Sequence, residues 1–364
     1  MNTMMKYYKG SALFALLGMM GGYALAGIDG LVIVAVLSVL ETSLSFDNAV
    51  VNATVLKDMD DKWRQRFLVW GMLIAVFGMR LFFPLLIVSI LTGLDMLPSL
   101  FNQGAMLLNG LGANIEYTGL FAPKDSVLQM AISNPELYAK TLTSAHHEIA
   151  AFGGAFLMMV FVKFFVDANK DEHWLHVIEA PLTKLGRLEA VEVALTLGTI
   201  LGCAAYLDDI HHQAQFVTAG VLGIITYIFA DGIGALLGGE HGEGGAAVAK
   251  QGFAGFMYLE LLDASFSFDG VIGAFALSNN LFIIAIGLGV GAMFVRSMTL
   301  MLVDKGTLAS YRYLEHGAFW AIGALAALMF AGVHMEVPEA VTGLLGAALI
   351  GLSFWSSVRA NRKA

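Results

Sequence analysis

Charged residues and prolines are both scarce in this chain of 364 residues. Asp, Glu, Lys and Arg together make up 13% of the sequence, and there are only 6 prolines. An average soluble domain has roughly 25% charged residues. With 58% hydrophobic residues, a soluble fold would have to expose large apolar patches, which soluble monomers avoid. The composition therefore excludes a soluble enzyme and favours a bundle of membrane helices, in which the 41 glycines allow close packing.

Cysteine and net positive charge are missing as well. The single cysteine, Cys203, excludes an internal disulfide and a cysteine-rich metal cluster. A formal net charge of -9 argues against nucleic-acid binding, which needs a basic surface. The sequence contains no phosphate-binding loop motif and no His-Glu-x-x-His pattern. We therefore expect a protein that is not an enzyme, although Asp47 and Asp269 superficially fit an intramembrane aspartyl protease.

Ten apolar segments are long enough to cross a membrane, which takes about 20 residues. The first of them also fits a signal peptide, because Lys6 and Lys9 precede it and Ala24-Leu25-Ala26 ends it. The prediction is an all-α, polytopic transmembrane helical bundle with spans at about 10–27, 30–56, 67–93, 147–167, 190–207, 215–238, 253–278, 281–304, 315–333 and 337–357.

The basic residues predict the orientation of these spans. With ten spans, nearly all basic connections fall on the same side as Lys6 and Lys9, and only Lys124 and Lys140 lie opposite. Basic loops stay on the cytoplasmic side. We therefore expect a multi-pass protein of a bacterial plasma membrane with both termini in the cytoplasm. The sequence is compatible with a homo-oligomer, and the lipid bilayer is its expected surrounding.

An acidic motif occurs twice. The stretch 41–48 reads Glu-Thr-Ser-Leu-Ser-Phe-Asp-Asn, and 263–270 reads Asp-Ala-Ser-Phe-Ser-Phe-Asp-Gly. In the span after each copy, a glycine precedes an arginine by nine residues: Gly71 before Arg80, and Gly287 before Arg296. The second and seventh spans cross the membrane in opposite directions. This indicates an inverted-topology repeat of the kind found in transporters, with halves 1–207 and 208–364 and a site near the midplane.

Six charged residues lie well inside predicted spans: Glu41, Asp47, Arg80, Asp263, Asp269 and Arg296. Each costs about 2.5–3.5 kcal/mol on insertion scales, and such residues usually mark an ion or substrate path. Glu260 and Asp231 are less central acids. The alternative is that Asp–Arg pairs only hold helices together.

Helical spacing places Glu41, Ser45 and Asn48 on one face, and Glu260, Asp263 and Ser267 on another. Six residues separate Glu41 from Asp47, which puts them about 120° apart on an unbroken helix. Either the two acids contact different neighbours, or the serine-rich segment is locally unwound and its carbonyls become available as cation ligands.

Carboxylate, hydroxyl, amide and carbonyl oxygens favour Mn, Mg or Ca over Cu or Zn. Glu41, Asp47, Asp263 and Asp269 against the two arginines leave two negative charges, which suits one divalent cation or protons. Weaker candidates for transient metal binding at a pore mouth are His146-His147-Glu148, Asp208-Asp209 with His211-His212, Glu240-His241-Gly-Glu243, and Glu315-His316, although polar residues also simply end spans.

The paired acidic motifs resemble those of the TerC family of integral membrane proteins, and a TerC-like branch of unknown function in particular. The likeness runs from about residue 30 to 330. TerC proteins are associated with tellurium resistance, several act in manganese efflux, and they are grouped with the lysine-exporter superfamily. The resemblance implies Glu41, Asp47, Asn48, Glu260, Asp263 and Asp269 as metal-site residues. We assign supporting roles to Ser45, Ser267, Arg80, Arg296 and Asp231.

This chain departs from the usual second TerC motif, which continues Asp-Ser-Ile-Pro-Ala. Here the run is Asp269-Gly270-Val271-Ile272-Gly273-Ala274, which lacks both that serine and the helix-kinking proline. A long outer insertion also occupies 94–146.

Three functions follow as hypotheses. The first is a secondary transporter that exports a divalent cation, with Mn²⁺ favoured and exchange for protons as the coupling; the cation is substrate, and no tightly bound cofactor is expected. The second is export of a small organic solute or oxyanion bound by Arg80 and Arg296. The third is a membrane anchor for a stress-response complex that does not transport.

Overall fold

The computed structural model describes residues 2–71, 73–92, 94, 126–168, 170, 172–207, 209–237, 252–335 and 337–362. Within these ranges the chain is helical and contains no strand, which confirms the all-α prediction. The α-helices, in chain order from α1 to α15, are Asn2–Leu44, Phe46–Leu56, Asp61–Arg66, Phe83–Thr92, Val127–Ser133, Pro135–Ser144, His146–Val166, His176–Leu185, Val191–Ala204, Ile210–Leu237, Gly252–Ala274, Leu281–Asp304, Thr307–Ser310, Leu314–Ala331 and Glu339–Asn361.

Helix α1 contains two apolar arms that meet at a sharp reversal. Ala26 (φ -145°, ψ 25°) and Gly27 (φ 63°, ψ -143°) leave helical geometry, and the positive φ of Gly27 is one that L residues rarely adopt. Next to the turn, Gly22 and Gly30 pack backbone to backbone. The break falls at the boundary predicted between the first two spans.

The two arms of α1 run in opposite directions along α12. In the first arm, Ser11 donates a hydrogen bond to the carbonyl oxygen of Met293 at 2.8 Å, and Gly18 lies against Val290. In the second arm, Ser38 donates to the carbonyl oxygen of Gly287 at 3.0 Å. The chain therefore folds as a helical hairpin, because a glycine pair lets the two arms approach closely.

By length and composition, 6 helices in the described part of the chain can cross a membrane: Tyr7–Leu44, His146–Val166, Ile210–Gly232, Leu281–Asp304, Leu314–Gly332 and Val341–Asn361. Ile74–Ile90 and Val191–Ala204 are shorter apolar helices. Helix α11 corresponds to the predicted seventh span and is not among these six. It is continuous from end to end, and it carries Glu260, Asp263 and Asp269. All ten predicted segments are thus helical, while their number as true spans stays a prediction.

The third predicted segment is π-helical for much of its length, at Phe67–Gly71 and Ile74–Phe82, before α4 begins. A π-turn shifts the backbone hydrogen bonds by one residue, and such turns are frequent at functional sites. The side chain of Arg80 donates from Nη1 to the carbonyl oxygen of Ala75 at 2.6 Å. No pattern in the sequence predicted this geometry.

The predicted outer insertion contains two short helices, α5 and α6. Tyr138 of α6 packs against Phe275, with ring centroids 5.9 Å apart, and joins a buried apolar cluster that includes Leu85, Val88 and Leu281. Residues 95–125 of this insertion, which include Lys124, lie outside the described ranges.

Connections that were predicted to share a side contact one another. Lys57 pairs with Glu315 at 3.0 Å, Arg312 pairs with Glu172 at 3.1 Å, and Asn361 donates to the carbonyl oxygen of Ser310 at 2.8 Å. These contacts join three different connections and the C-terminal tail. We call this the basic end of the bundle. At the other end, the histidine end, the ring of His147 lies 6.2 Å from that of His212, and that of Tyr206 lies 6.1 Å from His334.

The Gly22–Gly30 contact can be tested with Gly→Ala changes. A Cβ at Gly30 would overlap the carbonyl group of Gly22, whereas a Cβ at Gly10, in the same helix, meets nothing within 4 Å. We expect Gly30→Ala to lower the melting temperature in detergent by several degrees. Gly10→Ala should leave it unchanged or raise it, because Ala is favoured over Gly in a helix by up to about 1 kcal/mol. Equal melting temperatures for both variants would contradict the hairpin.

Candidate functional site

The first buried ion pair joins Glu41 of α1 to Arg80. Glu41 Oε1 accepts a hydrogen bond from Arg80 Nη2, and both side chains are almost completely buried. The arginine also donates to a backbone carbonyl, as described above. An arginine inside a membrane bundle stays charged, so a carboxylate beside it offsets part of the desolvation cost.

The second buried ion pair lies in the equivalent helices of the other half. Arg296 of α12 approaches Glu260 of α11, with Nη2 3.6 Å from Oε1. Arg296 Nη1 also donates to the carbonyl oxygen of Phe67, and the guanidinium stacks over the Phe67 ring at 4.2 Å. Gly71 lies directly against the Glu260 carboxylate and the guanidinium, where a larger residue would not fit.

A third contact joins the two acidic motifs. Asn48 Nδ2 donates to Asp263 Oδ1 at 2.7 Å, and both residues are buried. The backbone N–H of Asn48 donates to Asp47 Oδ1 at 2.8 Å. One asparagine therefore contacts both carboxylates, one from its own motif and one from the other copy. This contact brings the two motifs together at these residues.

A one-residue interruption of the helix at Ser45 separates α1 from α2. Ser45 has φ -94° and ψ 24°, although helical hydrogen bonds bridge it from Ser45 N to Glu41 O and from Ala49 N to Ser45 O. The helix is thus distorted at Ser45 without releasing these carbonyls, and Glu41 and Asp47 contact different neighbours although both line the same cavity. The second copy, in α11, is an uninterrupted helix.

The cavity beside these acids has a volume of about 50 Å³. One water needs roughly 10–15 Å³ of such space, so the cavity holds a few waters or a partly hydrated ion. Five helices contribute to its walls. The lining residues are Glu41, Leu44, Ser45, Asp47, Asn48, Phe266, Gly270, Leu325, Thr342 and Gly343.

In the part of the chain that the structure describes, three buried oxygens of the two motif helices have no hydrogen-bond partner: Asn48 Oδ1, which lines the cavity, Asn52 Oδ1 and Ser267 Oγ. An unpaired buried polar group costs free energy, and a native structure usually contains a reason for it, such as an ion or water. Amide and hydroxyl oxygens are ligands for hard cations. Asn48 and Ser267 were predicted site residues, whereas Asn52 was not.

Equivalent positions of the two halves make equivalent contacts. Ser38 and Glu260 each stand three residues before the first acid of their motif. Ser38 donates to the carbonyl oxygen of Gly287, and Glu260 lies against Gly71, which are the two glycines found nine residues before an arginine. An internal repeat would produce this pairing. The division at 207/208 itself stays a prediction.

The charges in this core are unevenly compensated. In the part of the chain that the structure describes, Glu41 and Glu260 pair with arginines, whereas neither Asp47 nor Asp263 pairs with a lysine or arginine. Both aspartates instead accept a hydrogen bond from Asn48, which is uncharged. Neither aspartate thus forms a salt bridge in the described part of the chain, although Arg296 attracts Asp263 electrostatically.

Among the described residues, no group of three or more His, Cys, Asp or Glu side chains is arranged to hold a metal ion. The side chain of Asp269 lies outside the described residues. Its helical neighbour Gly270 lies close to Glu41, since a Cβ there would be 3.3 Å from Glu41 Oε2. The second motif therefore faces the first ion pair.

Asp231, the remaining predicted supporting residue, pairs with Lys163 at 2.5 Å between α10 and α7. Both side chains are partly exposed, and Asp231 does not line the cavity described above. This is the purely structural type of ion pair that the sequence left as an alternative. It places Asp231 outside the group formed by the other predicted residues.

The weaker candidates for metal binding lie in different parts of the bundle. Glu315 pairs with Lys57, and His316 contacts the carbonyl oxygen of Glu172 at 2.8 Å, so both have structural partners at the basic end. Asp209 accepts the backbone N–H of His211 at 2.8 Å, a local turn contact. Asp208 and 240–243 lie outside the described ranges. His146 and His147 line a second cavity, described below.

Sequence reasoning missed the contribution of the last two helices. Gly343 packs against Leu44, Gly346 lies against the Asp47 carboxylate, and Thr342 lines the cavity. Glycines in an apolar span resemble ordinary packing residues, so the sequence contained no specific sign of this role. Asn52 could have been found, because it follows Asn48 by four residues and shares its helical face.

A family model described as "Protein of unknown function (DUF475)" matches residues 46–364. The match begins one residue before Asp47 and includes the whole second motif, but not Glu41. No curated protein matches the chain. No solved structure matches it either.

The buried Glu41–Arg80 pair should be strongly coupled. We expect Glu41→Gln to lower the free energy of unfolding by about 3 kcal/mol, because it leaves a buried guanidinium without its carboxylate. The double variant Glu41→Gln/Arg80→Gln should lose less than the sum of the single changes. Denaturation of the purified protein in detergent measures both effects.

Asp61→Asn is the matched control, since Asp61 pairs with Arg64 at 3.3 Å but is 92% exposed. Its effect should stay below about 1 kcal/mol. Additive losses for the Glu41 and Arg80 changes would contradict a direct pairing of the two side chains.

Proposed function

Since the chain belongs to the DUF475 family, whose function is unknown, we propose from the geometry of its core that it is a secondary transporter of a divalent cation. The family match and the apolar helices support a membrane protein of helical type. The proposal goes further and takes Asp47, Asn48 and Asp263 as the centre of the transport site, with Glu41, Glu260, Ser45 and Ser267 around it.

The observation that carries the proposal is the contact of Asn48 with two carboxylates that form no salt bridge in the described part of the chain. Two negative charges in a membrane interior need compensation, because an unpaired charge there is costly. A divalent cation supplies two positive charges. The unpartnered oxygens Asn48 Oδ1 and Ser267 Oγ add neutral ligands.

The ligand atoms favour a hard cation. Carboxylate, amide and hydroxyl oxygens suit Mn²⁺, Mg²⁺ or Ca²⁺ better than Cu or Zn, which prefer nitrogen and sulfur ligands. A site with one or two carboxylates and several retained waters is typical of such ions, which agrees with a small cavity rather than a closed cage. Among these ions, the resemblance to TerC proteins favours Mn²⁺.

Proton exchange follows from the same charges. When the cation leaves, Asp47 and Asp263 would lie in the bundle core without compensation, so protonation would be the cheaper state. Protons entering with each cycle would thus replace the exported cation. In this scheme both termini are cytoplasmic, the membrane is the bacterial plasma membrane, and no enzymatic activity is involved.

The competing functions have less support. Export of an oxyanion would need free arginines, but Arg80 and Arg296 are each engaged by a carboxylate and a backbone carbonyl. A membrane anchor that does not transport would have no need for two unpaired carboxylates at an internal cavity. We therefore favour cation transport over both.

The test is manganese export by cells that lack other exporters. Cells with the intact protein should tolerate external Mn²⁺ and hold little of it, whereas Asp47→Asn or Asp263→Asn should return cell-associated manganese to the level of cells without the protein. Each change removes a charged ligand. If that ligand contributes at least about 1.4 kcal/mol to the binding free energy, the cation should bind about tenfold more weakly or worse.

Asp61→Asn, a change at the surface of the basic end, serves as control and should export normally. Equal manganese tolerance in the two aspartate variants and the intact protein, at equal membrane abundance, would refute the proposal. If Arg80→Lys or Arg296→Lys abolished export of an oxyanion such as tellurite while the aspartate variants kept it, the anion hypothesis would replace it.

A further inference from the structure

A second, larger cavity of about 670 Å³ lies at the histidine end of the bundle. Its walls come from three parts of the chain: the junction of α6 and α7, the C-terminal part of α11 with the segment after it, and the connection between α14 and α15. We call it the vestibule. Its lining residues are Thr143, His146, His147, Ile272, Gly273, Ala276, Leu328, Met329, Gly332, Val333, His334, Met335, Val337 and Thr342.

Thr342 lines both the vestibule and the central cavity. It lies in the first turn of α15, next to Gly343, whose backbone approaches Leu44 at the interruption of the acidic helix. Thr342 is the lining residue that the two cavities share in the described part of the chain, so its small polar side chain lies where they adjoin. Its hydroxyl is suited to contact a hydrated cation that passes between the two spaces.

The side of the site that faces the basic end is apolar. Asn52 lies one helical turn beyond Asn48, and the residues that follow in α2 enter an apolar cluster. We call this cluster the basic-end plug. It consists of the buried residues Val55, Leu56, Met59, Phe67, Phe256 and Leu259.

Arg296 connects the plug to the site. Its guanidinium donates to the Phe67 carbonyl, stacks on the Phe67 ring and pairs with Glu260. Phe67 and Glu260 belong to different predicted spans, and the arginine belongs to a third. One side chain therefore holds together three helices around the plug, at the level where α2 also contributes Val55 and Leu56.

We propose that in this conformation the central cavity exchanges cations with the histidine end alone, through a neck at Thr342, while Arg296 keeps the basic-end plug closed. The inference rests on the proposed function for the identity of the cargo, a hydrated divalent cation. The route itself is a geometric statement, and it can be tested without any transport measurement.

The test is thiol labelling in a Cys203→Ser background, which removes the single native cysteine. Thr342→Cys should react with a membrane-impermeant, positively charged thiosulfonate reagent applied from the histidine end and stay unreactive from the basic end. A thiol must form the thiolate to react, which needs a wet environment. Mn²⁺ should slow the reaction if it occupies the adjoining cavity.

Two further thiols calibrate the experiment. Met335→Cys lies in the vestibule, where the side chain is 63% exposed, and it shows which membrane preparation, intact cells or inverted vesicles, presents the histidine end. Leu344→Cys, two residues from Thr342, is 70% exposed on the bundle surface, outside both cavities, and should face lipid and resist labelling.

The outcomes separate the two proposals. Labelling of Thr342→Cys from the basic end, or its failure to react while Met335→Cys reacts, would overturn the route even if the intact protein exports manganese. Labelling from the histidine end in a protein that exports no manganese would preserve the route and refute the cargo.

The role of Arg296 has its own outcome. In the Thr342→Cys background, Arg296→Gln should loosen the plug and make the thiol reactive from the basic end as well. If the labelling pattern is unchanged while the variant protein is present in the membrane at normal levels, the plug does not depend on this arginine.

Discussion

The cost of placing charge in a membrane interior is the constraint from which the rest of this structure follows. Each carboxylate or guanidinium costs about 2.5–3.5 kcal/mol on insertion scales, so the helices must be arranged to compensate it. Glu41 with Arg80 and Glu260 with Arg296 meet that requirement across helix boundaries. These two pairs link α1 with the third predicted span and α11 with α12, which are the helices of the duplicated motifs.

Close helix approach makes these pairs geometrically available. Gly71 leaves room for the Glu260 carboxylate, Gly291 for the Glu41 side chain, and Gly346 for that of Asp47. Each glycine lies in a helix opposite an acid, where a Cβ would collide with it. The same residue type that lets membrane helices pack tightly thus also creates space for buried carboxylates.

The two motif copies are similar in sequence and different in shape. In the first, the helix breaks at Ser45 and Asp47 joins Glu41 at the cavity; in the second, α11 continues without a break. Asn48 has no counterpart in the second copy, where Gly270 occupies the equivalent position. This asymmetry allows the one asparagine to bridge both copies, and it explains how two related segments form a single site.

Sequence alone determined the helical class, the approximate bounds of the segments and the burial of charged residues such as Glu41, Asp47 and Asp263. Apolar composition and mid-span charge have large free energies in a membrane, so they leave clear patterns in the residues. The turn at Gly27 also fell where the hydrophobic pattern changed.

Only the tertiary structure decided which acids are paired and which are not. Arg296 pairs with Glu260 although Asp263 is the aligned partner of Glu41, and Asp231 belongs to Lys163. The roles of Asn52, Thr342 and Gly346 likewise came from contacts between distant helices. Helical periodicity tells which residues share a face, but the neighbour that meets this face depends on packing across the whole bundle.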